Sequence, residues 1–136
     1  MAHKLGRLID HLHLRVADLD KSRAFYRAVL TSLDLADAFH DGDHYFAADE
    51  LYVDAADGSV SRVHLAFQAR TRAQVDAFHT AALRAGGVDN GRPGLRDYHE
   101  QYYAAFVFDP DGNNIEAVCD APTQRSAAVI EVERTG

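Results

Sequence analysis

The segment His64 to Leu83, HLAFQARTRAQVDAFHTAAL, repeats His11 to Leu30, HLHLRVADLDKSRAFYRAVL, at an offset of 53 residues without a gap. His11 falls on His64, Leu12 on Leu65, Ala24 on Ala77, Phe25 on Phe78, Ala28 on Ala81 and Leu30 on Leu83. A repeat of this length in a chain of 136 residues means two small modules rather than one continuous pattern. Neither module is large enough to bury both faces of a sheet by itself, so the two must pair.

Each copy opens on alternation. In LIDHLHLRV, Leu8, Leu12, Leu14 and Val16 fall on one side of a strand, and Ile9, His11, His13 and Arg15 on the other. The second copy sets Val63, Leu65 and Phe67 against His64, Ala66 and Gln68. A helix follows each strand. Asp18 is the cap of the first, and Phe25, Tyr26, Val29 and Leu30 are its apolar stripe. Thr71 with Gln74 reads as a capping box for the second, whose stripe is Val75, Phe78, Ala82 and Leu83 and whose end is Gly86–Gly87.

Short strands are expected next, near Asp37–His40, HYFAA and ELYVD in the first half and at YYAAFVF and NNIEAV in the second. The last two flank DPDG, Asp109 to Gly112, which is turn chemistry at every position and predicts a hairpin. Its second strand puts Ile115, Ala117 and Cys119 on the helix side and turns Glu116 to the side of the histidines. The fold class is therefore α+β, with β-α-β-β-β written twice. Module 1 spans about residues 7–57 and module 2 about 60–120, within one domain of 1–122. A tail follows at 123–136, in which AAVIEV reads as a short strand.

Composition narrows the function classes. A formal charge of −7 leaves no basic face for nucleic acid or an anionic membrane. No apolar run approaches a membrane span, and the N-terminal residues lack the apolar core of a secretory signal. The single cysteine, Cys119, excludes an intrachain disulfide and fits a reducing, cytoplasmic compartment. It lies on an apolar strand face and reads as core.

His11, His64 and Glu116 all face away from the helices on strands. Two imidazoles and a carboxylate on rigid elements suit a divalent cation with positions left open for substrate. Eight histidines would place some on strands by chance. Packing, however, gives little reason to keep a polar-face histidine through a duplication. His13, Arg15 and Gln68 share these faces and are candidate pocket residues, as are Tyr52 and Phe106. The segment Arg92 to Tyr103, RPGLRDYHEQYY, reads as a loop whose His99, Tyr102 or Tyr103 would line the pocket mouth and serve as proton donors, Tyr103 being counted with the pocket residues. His40 and His44 sit by a turn and are expected to be exposed.

IDHLHLRVADLDKSRAFYRAVL, HLAFQARTRAQVDAFHTAAL and FDPDGNNIEAV resemble the glyoxalase/bleomycin resistance/extradiol dioxygenase (vicinal oxygen chelate) superfamily, over about Leu8 to Asp120. The resemblance implies paired βαβββ modules forming a curved, open mixed-sheet barrel around a metal cavity, often in a homodimer. It places the metal ligands on His11, His64 and Glu116, a donor set that zinc, nickel, iron and manganese all accept. It implies a metal-dependent enzyme holding a small oxygenated molecule by two oxygens, through lyase, isomerase, transferase or dioxygenase chemistry. Glu116 or His99 would carry the proton. A metal-free, drug-binding role like that of bleomycin-resistance proteins is the alternative. Glyoxalase I adds a glutamate ligand on the last strand of its first module, where this chain offers Glu50, Tyr52 and Asp54 at one parity. Fosfomycin-resistance thiol transferases differ at two points, with tyrosine where this chain has Phe106 and threonine where it has His13.

Overall fold

The computed structural model describes residues 2–136. Module 1 runs β1 (Leu12–Val16), α1 (Leu19–Ser32), a short 3-10 turn (Ala36–Ala38), β2 (Phe39–Asp41), β3 (Tyr45–Ala48) and β4 (Leu51–Ala55). Module 2 runs β5 (His64–Gln68), α2 (Arg72–Arg84), β6 (Val88–Leu95), β7 (Tyr103–Phe108) and β8 (Asn114–Cys119). The two sheets have the same order, β1-β4-β3-β2 and β5-β8-β7-β6, each with its first strand parallel to its last. The α+β double βαβββ architecture is as expected. The two mixed sheets are not hydrogen-bonded to each other within the chain, so one chain alone closes no barrel.

Local chemistry explains the helix ends. Asp18 accepts from the Lys21 amide at 3.1 Å, and the Thr71 hydroxyl accepts from the Gln74 amide at 3.1 Å. The Gln74 side chain reaches back one residue beyond the cap, to the Arg70 amide at 2.8 Å. Gly86, at φ +98, ends α2 by letting the Gly87 amide fold back onto the Ala82 carbonyl at 2.8 Å. Asp34, at φ 60, does the same for α1, where Leu35 N–H reaches Leu30.

The helix-facing sides of both sheets share one core. Leu14, Val16, Phe25, Tyr26, Val29, Phe46 and Val53 of module 1 join Val75, Phe78, Val107, Ile115 and Ala117 of module 2. Each large apolar side chain buried there contributes about 1.5–3 kcal/mol. A polar link crosses this core. The Tyr26 hydroxyl, on α1, donates to Asp109 Oδ2 at 2.6 Å. Asp109 also accepts the Asp111 and Asn113 amides, at 3.0 and 2.8 Å, so one buried carboxylate shapes the DPDG turn and ties it to the other module.

Four expectations are corrected. The first strand begins at Leu12, and Leu8 is 87% exposed rather than inward. Asp37 and Ala38 lie in the 3-10 turn, ahead of β2. The stretch from Val88 to Leu95, part of which reads as loop, is the edge strand β6. Its glycines and Pro93 hide it from a pattern of alternation, because the pairing with β7 slips between Asp89 and Gly91 and again before Gly94. Asp89 compensates at the first slip by accepting the Gly91 amide at 3.0 Å. Finally, residues 127–132 form no strand and pair with neither sheet. Among the described residues no helix is long and apolar enough to cross a membrane.

Candidate functional site

Strand pairing carries His64 and Glu116 to one point. Glu116 lies opposite Ala66 on β5 and opposite Phe106 on β7, all on the face away from α2. His64 Nε2 meets Glu116 Oε1 at 2.8 Å. The other oxygen, Oε2, accepts the Tyr102 hydroxyl. The carboxylate is only 2% exposed, whereas the His64 side chain is 54% exposed. An ionised carboxylate this far from water requires partners, and both of its oxygens have one. Burial first, then the bond to Glu116 and its charge, push the Tyr102 hydroxyl above the ordinary phenol range. Phe106 forms one wall, its ring centroid 6.0 Å from that of His64.

The polar face of the first sheet holds a second group. His11 is exposed just before β1, with Nδ1 2.7 Å from Asp10 Oδ1. His13 Nε2 bonds Asp54 at 2.7 Å and packs edge-on against Tyr52, which stacks on Tyr45. His11, His13, Asp49, Glu50 and Tyr52 line a hollow of about 400 Å³. Arg15 and Gln68 are exposed at the far ends of their strands.

His11 does not meet His64 and Glu116 within the chain. Among the described residues no three His, Cys, Asp or Glu side chains are arranged to hold a metal ion. The reason is the packing. Both sheets turn their helix-covered sides toward the shared core, so both polar faces turn outward.

The register also locates the fourth position. Leu12 pairs with Leu51 and its repeat equivalent, Leu65, with Ile115. One residue on, the module 1 counterpart of Glu116 is Tyr52, and that of Glu50 is Asn114. A tyrosine therefore stands where a second carboxylate would complete the symmetry.

Two assignments in the Arg92–Tyr103 segment change. Tyr103 faces the helix side, its hydroxyl on Asp76 of α2 at 2.7 Å, because it pairs with inward-facing Cys119. His99 is exposed, with Nδ1 on the Glu100 carbonyl at 3.0 Å and its ring edge-on to Tyr102 at 4.8 Å. Tyr102 is the residue that reaches Glu116. It lies one residue before β7, where strand parity no longer reports direction.

A larger hollow lies elsewhere, about 830 Å³ between α1 and α2, lined by Ala24, Ala28, Ala77, Ala81 and flanking polar residues. These alanines are repeat equivalents that let the helices approach, and the hollow contains neither histidine nor a buried carboxylate.

A family model described as Glyoxalase/Bleomycin resistance protein/Dioxygenase superfamily matches residues 8–117. Among solved structures, a glyoxalase/bleomycin resistance protein from Albidiferax ferrireducens is 29% identical, with TM-score 0.68, covering 82% of this chain and 97% of that one. A lactoylglutathione lyase from Agrobacterium tumefaciens shares the fold at 22% identity and TM-score 0.58, covering 84% and 94%. A fosfomycin resistance protein from Listeria monocytogenes does so at 19% and 0.59, covering 87% and 93%. No curated protein matches the chain by sequence.

Proposed function

Since the chain belongs to the glyoxalase/bleomycin resistance protein/dioxygenase superfamily, we propose that it is a divalent-metal-dependent enzyme acting on a small oxygenated molecule. The observation that carries this is the buried Glu116 carboxylate, 2.8 Å from Nε2 of the half-exposed His64 side chain. A cation held by His64 and Glu116 would displace the proton they share and would be balanced by the carboxylate. Three protein donors, His64, Glu116 and His11, would hold it, and Tyr52 in place of a second carboxylate leaves room for a substrate to bind through two oxygens. When bound, such an ion stabilises negative charge developing on a substrate oxygen.

The residues of the chain do the rest. Tyr102 holds Oε2, so that Oε1 is presented beside His64. Phe106 keeps water from one side. The proton-carrying groups at this point are Glu116 and Tyr102, joined by a hydrogen bond, while His99 supports the Tyr102 ring.

His11 would come from a second copy of the chain, because the outward polar faces of one chain can close only on those of another. Mixing His11→Ala with His64→Ala protein tests this. Each variant alone should bind zinc weakly by calorimetry. A mixture refolded together should recover strong sites, about one for every four in the parent protein, since only mixed dimers rebuild one. A monomer by light scattering, or a mixture no better than its components, would refute the shared site.

A second reading also has an observation behind it. Both Glu116 oxygens are already satisfied by protein donors, which suits a metal-free pocket that only binds a small ligand. Elemental analysis of protein purified without chelators separates the two, and a metal-free preparation that also ignores added zinc, nickel, iron and manganese selects the binder.

A further inference from the structure

Arg96 follows β6 directly, and its side chain turns back across that strand. Nη1 donates to the Gly94 carbonyl at 3.0 Å and Nη2 to the Arg92 carbonyl at 2.8 Å. The guanidinium carbon lies 5.3 Å from the centroid of the Phe106 ring. Phe106 in turn is cross-strand partner to Glu116 and neighbour to His64, 6.0 Å away between ring centroids. The guanidinium and the imidazole are therefore no farther apart than those two distances together. The Arg96 amide donates to the Tyr102 carbonyl at 2.8 Å, so the same residue closes the loop that delivers Tyr102 to Glu116.

The strand beneath is cut to fit. A Cβ on Gly91 would stand 3.2 Å from Nη2, and one on Gly94 would stand 3.2 Å from Nη1. A side chain at either place would press on the guanidinium, and at Gly91 on the Phe106 ring beneath it as well, at 3.0 Å. Held this way, Arg96 lacks what the arginines of α1 have. Arg23 and Arg27 are paired with Asp41, whereas among the described residues Arg96 makes no ion pair. Its donors meet main-chain carbonyls, and its Nε–H meets no protein acceptor. An unneutralised, pre-oriented fork of donors on the site face, in a chain with 21 acidic residues against 14 basic ones, is built for an anion from outside.

We propose that Arg96 is the specificity-determining residue of this site, binding a carboxylate on the small molecule that His64 and Glu116 engage. The substrate class is thus an oxygenated organic acid, its carboxylate and the oxygens at His64–Glu116 lying to either side of Phe106. This rests on the reading of His64 and Glu116 as the substrate centre.

The test uses the metal-free full chain, so that no bound ion competes for the carboxylate, with the Arg96 Nε–H resonance assigned by NMR. Phenylacetate and its neutral analogue phenylacetamide are the probes. Phenylacetate should shift the Arg96 resonance and bind about tenfold more tightly than the amide. Arg96→Gln should abolish that preference, and Arg96→Lys should keep a weaker one. Should Arg96→Gln fail to fold, the parent resonance and the lysine variant decide. No shift with phenylacetate, equal binding of both probes, or a preference that survives in Arg96→Gln would each overturn the proposal. A separate zinc titration followed at the His64 ring reports on the metal reading alone, so the two can fail independently.

Discussion

Replacing Glu116 by Gln keeps the side-chain volume and removes the charge. In the parent both carboxylate oxygens accept, one from His64 Nε2 and one from the Tyr102 hydroxyl. In the variant the amide oxygen can still accept from Tyr102, while the amide nitrogen faces His64. The imidazole satisfies it by moving its proton to Nδ1, so that Nε2 becomes an acceptor. No buried group is orphaned. Two charge-assisted bonds become neutral ones, a loss of about 1 kcal/mol each. Relief from burying a carboxylate at 2% exposure offsets part of that, and water reaches the half-exposed His64. The net cost should be about 1 kcal/mol, a melting temperature lower by roughly 3–5 °C in chelator. Metal binding should suffer far more. Loss of a partner that merely supports a ligand weakens affinity about 10–100-fold, so loss of the anionic ligand itself should exceed that. Thermal denaturation in chelator and zinc calorimetry measure the two effects side by side. If Glu116→Gln melted more than about 10 °C below the parent yet bound zinc unchanged, Glu116 would be a structural carboxylate and the site reading would be wrong.

Tyr102→Phe removes only the hydroxyl on Oε2, and should weaken zinc binding about 10–100-fold with a melting temperature within a few degrees of the parent; unchanged affinity would show that Tyr102 does not position Glu116. Tyr26→Phe should cost about 1.5–3 kcal/mol at neutral pH, because Asp109 loses a buried donor. Burial, with Asp109 beside it, holds the Tyr26 hydroxyl well above its ordinary value. The stability this represents is complete below the unfolded phenol value near 10 and declines as pH rises above it. The deficit of Tyr26→Phe should therefore narrow in melts above pH 10, and a deficit independent of pH would contradict the assignment.

What could be read in advance was whatever depends on neighbours along the chain. Asp18 and Thr71 cap their helices because a cap bonds an amide a few residues on. Ile115 and Glu116 face opposite ways because a strand has period two. The DPDG turn follows from four consecutive residues, and the shared outward face of His64 and Glu116 from strand parity.

Other features depend on distant partners, and only the tertiary structure decided them. Leu8 matches the alternation of β1 but has no sheet to cover it. The edge strand β6 tolerates Gly91, Pro93 and Gly94 because irregular pairing with β7 carries it through them. Tyr102 and Tyr103 are adjacent and chemically identical; one reaches Glu116 and the other Asp76 because strand β7 begins between them. The counterpart of Glu116 is Tyr52 rather than Glu50 by strand register, which hydrogen bonds between segments set. His11 is separated from His64 because the modules bury their helix-covered faces against each other, and the repeat that marks both histidines is silent on which way two such modules pack.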